Sequence, residues 1–370
     1  MHRALSERAS GVGQTLSRMF PTPKFLMPHA AGVDISDASI KWIVLSETQP
    51  GKRRVEAWGQ EQLPEGVVSS GVINDEARLI EVLKTVRRKM PRVAGVHVAL
   101  PEEPAFVFGM NVPLGSTRKE IIDLIGFEFE TRVPIPPAEA VYDFDIIPWQ
   151  EGESQEVGVV VFPRELSESY AHCLAEAGFL VFSFEIEPRA IARATVSREQ
   201  ATKVALLVDF GAKRSGLAVL KAGIPIFTST VDVGVDRIDQ VLSEQLHLSP
   251  EQLRVWKNEQ GLLPSEGQKS GLEVLSGVAS SLGSEVARHF NYWDTRRNDR
   301  GERVTPVSTV LLVGGGANLK GLGDYIAGRV QAEVVRPNVW QHVCSFEEYI
   351  PPINRRTSLQ YATAIGLALR

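Results

Sequence analysis

One pattern occurs twice in this sequence, first as Ala31-Gly32-Val33-Asp34-Ile35-Ser36 and again, about 175 residues later, as Ala205-Leu206-Leu207-Val208-Asp209-Phe210-Gly211. Each copy is a short apolar run that ends at an aspartate and a turn, and a second apolar run follows it, at 40–45 and 215–220. Runs of this length and composition predict two strands that pair as a hairpin. Two copies of one unit indicate an internal duplication.

The composition is that of an ordinary globular protein. The chain has 370 residues, 43% hydrophobic and 23% charged, and a prior of about 150 residues per domain predicts two or three domains. The net charge of −5 gives no support for nucleic-acid binding. Cys173 and Cys344 are far apart and lack metal-binding spacing, which favours a reducing, cytoplasmic compartment. No apolar run approaches the roughly 18 residues of a membrane span.

Residues 1–29 differ from the rest of the chain. They are polar and basic, and Leu5, Val12, Leu16 and Met19 recur at roughly helical spacing among glycines and prolines. Two interpretations stay open for them. One is a flexible terminal arm, and the other is a basic amphipathic helix that lies on an anionic membrane.

Residues 102–185 have the pattern of a separate small module. They predict the order strand, helix, strand, strand, helix, strand, with a proline-rich connector at 133–137 and an acidic loop at 149–155. Ser116 or Thr117 is the expected cap of the first helix. We therefore expect an inserted α+β module, and later in the chain a long helix at 272–292 and a closing helix at 358–369.

The tips of the two hairpins predict a phosphate site. A hairpin tip presents backbone N–H groups, which bind phosphate where small residues allow a close approach. The small residues of the two tips are Ser36, Ala38, Ser39, Gly211 and Ala212. Asp34 and Asp209 end their strands, and carboxylates there suit a Mg²⁺ ion that keeps most of its waters and bridges to phosphates. Lys41, in the return strand, is a further candidate for phosphate.

A glycine turn follows the strand predicted at 307–313. Gly314-Gly315-Gly316-Ala317-Asn318 lies between that strand and a helix, which is where α/β folds bind ligands. The missing side chains would let a purine and a ribose lie against the backbone. Each element alone is a weak signal, because a strand–Asp–turn unit or a glycine turn is more often purely structural. The three in one order favour a nucleotide site.

These elements together resemble the superfamily of actin-like, sugar-kinase and heat-shock-chaperone ATPases. Residues 31–45 are similar to its first phosphate motif, 205–220 to its second, and 311–323 to its adenosine motif. The segment 228–242, with Val233-Gly234-Val235-Asp236, resembles the first connecting helix, and 359–369 resembles the second. The resemblance implies an α/β chain with the actin-like ATPase fold, in which two duplicated RNase H-like domains carry a small inserted α+β subdomain.

Within that superfamily the sequence resembles the PilM family of type IV pilus assembly proteins, which is related to the cell-division actin homologue FtsA. Three stretches carry this likeness: 133–146, which begins Val133-Pro134-Ile135-Pro136-Pro137; 236–262, which ends Asn258-Glu259-Gln260-Gly261-Leu262; and Tyr361-Ala362-Thr363-Ala364-Ile365-Gly366-Leu367-Ala368-Leu369-Arg370. The likeness spans residues 31–370.

The resemblance implies a division of the chain and a set of nucleotide residues. The implied parts are a flexible arm at 1–29, the first actin-like domain at 30–101, the inserted partner-binding subdomain at 102–185, a return to the first domain at 186–203, the second actin-like domain at 204–357 and the C-terminal connecting helix at 358–370. The implied cofactors are ATP and Mg²⁺, with Asp34 and Asp209 holding the metal through water. The implied nucleotide-binding residues are Asp34, Ser36, Asp37, Ala38, Ser39, Lys41, Asp209, Gly211, Ala212, Lys213, Arg214, Gly234, Asp236, Glu285, Arg288, Gly314, Gly315, Gly316 and Asn318.

Several residues depart from the superfamily pattern. Ser36 and Val235 stand where glycine is common, and Lys213 and Arg214 put two charges into a tip that usually holds small or hydroxyl residues. The two charges either bind phosphate or face solvent. No motif supplies a base that activates water, and His97, inside a strand, is more simply a packed histidine. We expect nucleotide binding with weak or no ATPase activity.

The resemblance implies an ATP-binding adaptor in the type IV pilus assembly platform, with a role in twitching motility. Its implied location is the cytoplasmic face of the inner membrane. The implied partner is the short cytoplasmic N-terminal tail of a single-span, PilN-like membrane protein, docked in a groove that involves residues 102–185. Pilus assembly ATPases and self-association stay open as further contacts, and no nucleic acid is expected.

Two other functional classes stay open. Actin-like cell-division and filament proteins also carry an inserted domain, but they usually end in an amphipathic membrane helix, whereas this sequence ends at Arg370. A small-molecule kinase of the superfamily needs an acceptor site, and residues 102–185 show no cluster that suggests one.

Overall fold

The computed structural model describes residues 29–49, 52–90, 93–151, 154–264, 269–297, 301 and 303–370. Of the arm predicted at 1–29, all but His29 lies outside the described residues. Within the described residues, two five-stranded sheets form the centres of a first and a second lobe, and a three-stranded sheet forms the centre of a smaller module.

The strands lie in chain order as follows: β1 (Ala30–Ile35), β2 (Ser39–Gln49), β3 (Lys52–Gln62), β4 (Val68–Ser69), β5 (Val72–Ile73), β6 (Gly95–Leu100), β7 (Phe106–Pro113), β8 (Ala140–Glu151), β9 (Ser154–Pro163), β10 (Val181–Ile186), β11 (Val204–Phe210), β12 (Ser215–Lys221), β13 (Ile224–Val231), β14 (Val307–Val313) and β15 (Glu333–Val335).

The α-helices are α1 (Glu76–Lys89), α2 (Arg118–Arg132), α3 (Arg164–Glu176), α4 (Glu187–Thr195), α5 (Val235–Leu246), α6 (Pro250–Glu259), α7 (Gly271–Val274), α8 (Ser276–Thr295), α9 (Leu322–Val330), α10 (Arg355–Ser358) and α11 (Ala362–Ala368). Short 3₁₀ turns occur at Pro137–Glu139, Gln200–Thr202, Gly315–Asn318 and Leu359–Tyr361.

The two large sheets have the same topology. In the first, β1, β2 and β3 form an antiparallel meander, and β6 and then β10 join β1 in parallel, giving the order β10-β6-β1-β2-β3. In the second, β11, β12 and β13 form the meander, and β14 and β15 join in parallel, giving β13-β12-β11-β14-β15. The predicted internal duplication is therefore confirmed.

The first lobe has its own hydrophobic core. Asp75 begins α1 as its cap, because its side chain accepts a hydrogen bond from the Arg78 N–H at 3.0 Å. Leu79, Leu83 and Val86 follow at helical spacing and are fully buried. Helix α3 packs against the same core, which also holds the central strands. Burial of side chains of this size contributes about 1.5–3 kcal/mol each.

The module is a sheet of order β7-β9-β8 covered by α2. Thr117 caps α2 in a capping box with Glu120, as expected, and Ile121, Ile125 and Phe129 bury the helix against the sheet. The strands β8 and β9 extend through most of the predicted acidic loop, to Glu151 and from Ser154.

The module ends earlier than the sequence predicts. The predicted module at 102–185 includes α3 and β10, but α3 packs in the first core and β10 pairs with β6 in the first sheet. The segment with its own sheet and core is therefore 106–163. The reason is that a strand pattern shows that a strand exists but does not show which sheet it joins.

In the second lobe, α8 is the long helix that was predicted at 272–292. The first turn of that predicted helix is a separate helix, α7, because the backbone of Leu275 leaves the helical conformation between them. Val278, Leu282 and Val286 of α8 bury against the second core. The C-terminal segment predicted as one helix at 358–369 consists of the end of α10, a 3₁₀ turn and α11.

Two helices, α4 and α11, cross between the lobes. They are in close contact, since Arg193 of α4 donates to Gly366 O at 2.8 Å and a Cβ on Gly366 would overlap Ala190 O. Helix α11 also lies on β1, where a Cβ on Gly32 would overlap Ala364 O. The prediction that 228–242 forms the first connecting helix is therefore wrong, because α4 is the partner of the C-terminal helix.

Candidate functional site

The tips of both hairpins meet at one cavity between the lobes, with a volume of about 480 Å³. The glycine turn after β14 also lines it. Most of the residues predicted to bind nucleotide line this cavity: Asp34, Ser36, Asp37, Ala38, Ser39, Lys41, Asp209, Gly211, Ala212, Lys213, Arg214, Asp236, Gly314 and Gly315. Residues from three distant parts of the sequence are thus brought together as predicted.

Asp34 and Asp209 occupy equivalent positions in the two lobes. Each lies near the end of the central strand of its sheet, and across the hairpin Asp34 pairs with Lys41 and Asp209 with Gly216. Lys41 Nζ lies 3.7 Å from Asp34 Oδ2, while Asp34 Oδ1 is buried and has no hydrogen-bond partner. Burial raises the pKa of Asp34, and it raises the pKa of Asp209 to about 7 with a further contribution from the charge of Glu102.

Both hairpin tips are tight turns. The Ser36 N–H donates to Ser39 O at 3.0 Å, and the Ser39 N–H donates back to Ser36 Oγ at 3.3 Å. In the second tip the Gly211 N–H donates to Arg214 O at 2.9 Å. Ser36 therefore closes its turn with its own hydroxyl.

The glycine turn lies against the second aspartate. Gly314 has a φ of 86°, which favours glycine, and a Cβ there would overlap Asp209 Oδ1. A Cβ on Gly316 would overlap the ring of Phe210. The chain after β14 can therefore lie this close to the cavity only because side chains are missing.

Three glutamates outside the predicted set also line the cavity. Glu102 and Glu103 follow β6, and Glu187 begins α4. One carboxylate oxygen from each lies within 4.8 Å of the others. Burial raises the pKa of Glu187 well above its usual value, helped by the charge of Glu102, and burial together with that charge raises the pKa of Glu103 to about 7.

A signal for two of these glutamates was present in the sequence. β6 is parallel to β1, and Ala99 is the register partner of Asp34. The residues directly after β6 therefore lie at the same sheet edge as Asp34. Because a strand was predicted to end at Leu100, Glu102 and Glu103 could have been predicted at this edge. The position of Glu187 could not, because it depends on the sheet that β10 joins.

The two cationic residues of the second tip reach across to the first lobe. Arg214 Nη1 lies 3.2 Å from Asp37 Oδ2 and 3.4 Å from Glu103 Oε1. Lys213 Nζ lies 3.5 Å from Glu65 Oε1 and 3.7 Å from Asp236 Oδ2. Neither side chain simply faces solvent, because both pair with carboxylates.

A neighbouring cavity of about 400 Å³ shares Val235, Gly315 and Gln360 with the main cavity. Gly316 and Asn318 line this neighbouring cavity. The Asn318 side chain donates to Arg356 O at 3.0 Å, and its Oδ1 is buried without a hydrogen-bond partner.

Three of the predicted residues line neither the main cavity nor this neighbouring one. Gly234 lies behind the second tip, where a Cβ would overlap Ala212 O. Glu285 and Arg288 form an ion pair with each other on α8. That Glu285 and Arg288 bind nucleotide stays a prediction.

A groove of about 330 Å³ lies between the module and the first lobe. Its two sides are β8 and β10, each the outer strand of its sheet within the described part of the chain. Phe144 and Phe184 give it an apolar surface. Arg189 crosses from α4 to Asp145 of the module at 2.7 Å, and Arg370 lies 3.1 Å from Glu185.

The sequence profile of the family described as "Type IV pilus assembly protein PilM" matches residues 32–370, which is nearly the whole chain. The chain belongs to the PilM family. The resemblance that the motifs indicated is therefore confirmed, and this PilM family member is a type IV pilus assembly protein with the actin-like fold.

Solved structures agree with the fold of this PilM family member. The chain from the "PilM-PilN type IV pilus biogenesis complex" is 22% identical and has a TM-score of 0.75, with 92% of this chain and 98% of that chain covered. The ethanolamine utilization protein EutJ from Carboxydothermus hydrogenoformans is 18% identical with a TM-score of 0.51, covering 94% and 91% of the two chains. MreB5 of Spiroplasma citri bound to AMPPNP is 13% identical with a TM-score of 0.51, covering 92% and 95%. No curated protein sequence matches this chain.

None of the helices in the described residues combines the length and the apolar character that crossing a bilayer requires.

Proposed function

We propose that this PilM family member is an ATP- and Mg²⁺-binding adaptor of the type IV pilus assembly platform, which holds the cytoplasmic tail of a PilN-like membrane protein. The observation that carries the proposed nucleotide binding is the placement of Asp34 and Asp209 at the same cavity. They occupy equivalent positions of duplicated sheets and line one cavity, which the glycine turn borders.

The aspartates fit a hard divalent cation. Asp34 and Asp209 offer carboxylate oxygens, which Mg²⁺ prefers, and a buried oxygen without a donor, such as Asp34 Oδ1, is stabilised by a nearby cation. Carboxylates that come from two separate lobes suit an ion that keeps water ligands. When bound, Mg²⁺ would neutralise charge on the phosphates.

The two tips and their cations fit phosphates. Ala38 and Ala212 carry only small side chains beside their backbone N–H groups in the two tips, and Lys41 and Arg214 supply positive charge at the same cavity. The MreB5 structures of this fold are described as bound to AMPPNP and to ADP, which supports a nucleotide in the corresponding cleft.

The neighbouring cavity fits the adenosine part. Gly315 and Gly316 present bare backbone there, and Asn318 Oδ1 is an acceptor that lacks a donor. Lys257 and Arg254 also line this cavity. A base that enters it would be bound by stacking against a cationic side chain and by hydrogen bonds.

Hydrolysis is expected to be weak. Glu187 lines the cavity as a carboxyl that could act as a base, but burial and the charge of Glu102 raise its pKa well above the usual value, which disfavours the ionised form that a base requires. A protonated carboxyl is not a base. The proposed adaptor therefore keeps its ATP bound rather than turning it over rapidly.

The groove between β8 and β10 fits an extended tail. Outer strands expose unpaired N–H and C=O groups, so a peptide can add a strand there, while Phe144 and Phe184 offer apolar contacts. The solved PilM-PilN complex supports a PilN-like partner. This function implies a location in the cytoplasm at the inner face of the membrane, reached through the partner.

The test is to denature the purified protein and to identify the nucleotide that is released. We expect ATP from the wild type and none from Asp209→Ala, because that variant removes a carboxylate of the proposed metal site. Circular dichroism of the variant checks that it folds. Retention of ATP by folded Asp209→Ala at the wild-type level would refute the site.

A further inference from the structure

A cavity of about 730 Å³ is formed by the start of β3 and the segment 341–349, outside the sites described above. Three consecutive cationic residues of β3 line this basic cavity, namely Lys52, Arg53 and Arg54. In the described part of the chain, Glu348 is the one carboxylate that lines it. The excess of positive charge favours an anionic ligand.

Two of the three cations keep hydrogen-bond donors for such a ligand. Lys52 Nζ lies 2.7 Å from Glu348 Oε1, which neutralises one charge. The Arg54 guanidinium lies over the ring of Tyr349, 5.3 Å from its centre, and this contact leaves the donors at its edge unused. Among the described residues, neither Arg53 nor Arg54 forms an ion pair with a carboxylate. Guanidinium groups bind phosphate oxygens through two parallel hydrogen bonds.

Two large apolar side chains are exposed to solvent beside the basic cavity. Ile350 is 80% exposed and Phe346 is 45% exposed. Their chain neighbours Tyr349 and Ser345 line the cavity, so the two apolar residues form its rim. Single exposed apolar residues are common on soluble proteins, but cations next to a pair of them are typical of a surface that lies on an anionic bilayer.

We propose that the basic cavity and its apolar rim, Phe346 and Ile350, form a docking surface for a bilayer that contains anionic phospholipid. Arg53 and Arg54 bind the phosphate of a headgroup, and the rim enters the interface between headgroups and acyl chains. A soluble phosphate compound would use the cations but would leave the rim in water, so the bilayer is the better occupant. The inference goes beyond the proposed function, in which the membrane is reached through a protein partner.

Co-sedimentation of the full chain with vesicles tests this docking surface, without nucleotide or partner peptide. One set of vesicles is pure phosphatidylcholine, and the other is an equal mixture of phosphatidylcholine and phosphatidylglycerol. We expect binding to the anionic vesicles alone, and weaker binding as salt is added. Each cation near an anionic surface contributes about five-fold in affinity, so the double variant Arg53→Gln, Arg54→Gln should bind at least about ten-fold more weakly.

A matched control makes the same change of charge elsewhere. Arg78 and Arg88 of α1 are exposed and do not line the basic cavity, so the double variant Arg78→Gln, Arg88→Gln should bind as the wild type does. The rim variant Phe346→Gln, Ile350→Gln should also bind the anionic vesicles more weakly. If the rim variant binds like the wild type, the cations serve a soluble phosphate rather than a bilayer, and the proposal is overturned.

The basic residues before position 29 need a control of their own. The arm variant Arg3→Gln, Arg8→Gln, Arg18→Gln removes positive charge from that segment within the full chain. Absence of binding to anionic vesicles by the wild type, or binding that the arm variant loses and the Arg53–Arg54 variant keeps, overturns the proposal. Circular dichroism checks the fold of every variant, and Arg54→Gln alone replaces the double variant if that variant does not fold.

Discussion

Arg214 Nη1 lies 3.2 Å from Asp37 Oδ2, and this ion pair joins the hairpin tips of the two lobes. The same guanidinium lies 3.4 Å from Glu103. All three side chains are mostly buried, so removal of the cation leaves two carboxylates without a counter-charge. We expect Arg214→Gln to lower the free energy of unfolding by about 1–3 kcal/mol, measured by urea denaturation of the nucleotide-free protein.

Lys213 supplies the control for that variant. It also pairs across the cleft, with Glu65 at 3.5 Å, but both side chains are well exposed. Exposed ion pairs contribute about 0–1 kcal/mol, so Lys213→Gln should lower the free energy of unfolding by much less than Arg214→Gln does. Equal losses from the two variants would contradict the view that burial makes the Arg214 pair the stronger link.

The position of Gly314 predicts a local loss of ligand binding. Its φ of 86° disfavours any side chain, and a Cβ would overlap Asp209 Oδ1. Gly314→Ala should therefore displace Asp209, cost about 1–3 kcal/mol of stability and abolish ATP retention. The measurement combines denaturation with analysis of the released nucleotide.

Its neighbour gives a matched control. Gly315 has no positive φ, and a Cβ there would meet only Gln360 Oε1 at 3.7 Å, an ordinary contact. Gly315→Ala should leave stability within about 0.5 kcal/mol of the wild type. If Gly314→Ala behaves like Gly315→Ala, the close approach to Asp209 is not what fixes the glycine.

The raised pKa of Asp209 predicts a pH dependence of stability. Burial, the charges of Asp34, Glu102 and Glu103, and the opposing effect of Lys41 set that pKa at about 7, whereas the unfolded value is about 3.9. Between these values the native state binds one more proton than the unfolded state. The contribution of Asp209 to the free energy of unfolding is therefore complete at low pH. It is lost as the pH rises to about 7, by up to about 1.4 kcal/mol per pH unit.

Urea denaturation from pH 5 to pH 8, without divalent cations or nucleotide, measures that dependence. Asp209→Asn cannot lose the proton, so its stability should fall less steeply over the same range, while other groups contribute equally to both proteins. Parallel curves for the wild type and Asp209→Asn would show that Asp209 ionises normally.

Much of the fold could be predicted because the strongest patterns in the sequence are local. The apolar runs that end at Asp34 and Asp209 need no tertiary information, and both hairpins were predicted near their observed bounds. β3 was missed because most of its residues are charged or polar and it lies at the outside of its sheet, where no continuous apolar run is required. β15 was missed because it has only three residues.

Part of the candidate site could also be predicted, because its signals are local in the sequence. The aspartates and glycines are recognisable by type and position, whereas Glu187 enters the cavity only because β10 joins the first sheet beside β6. The prediction that residues 228–242 form the first connecting helix was wrong because it also depended on a tertiary contact. The small residues that let α4 and α11 touch are visible in the sequence, but their contact is not.

The contact of α4 with α11 predicts a stability effect far from the cavity. A Cβ on Gly366 would overlap Ala190 O, so Gly366→Ala must push the two helices apart, at a cost of about 1–3 kcal/mol. A Cβ on Gly328, in α9, would meet nothing within 4 Å. Gly328→Ala should instead stabilise by about 0.5–1 kcal/mol, because alanine is the better helix former. Thermal denaturation of both variants measures the contrast.

The boundaries of the module predict which deletion separates the proposed partner binding from the proposed nucleotide binding. Phe106 and Val161 are register partners in β7 and β9, so their Cα atoms are only about 5 Å apart and a short glycine–serine linker can join them. Replacement of residues 107–160 by that linker leaves α3 and β10 in the first core. It removes β8 and with it one side of the groove.

We expect the 107–160 replacement to fold with a lowered melting temperature, because the module also covers Pro225 of β13, and to release ATP on denaturation as the wild type does. It should lose binding of a synthetic peptide of the proposed PilN-like tail, measured by calorimetry. Deletion of 102–185 should unfold the first lobe instead, because it removes the buried Tyr170 and Leu174. Peptide binding that survives the 107–160 replacement would mean that the tail docks elsewhere than in the groove.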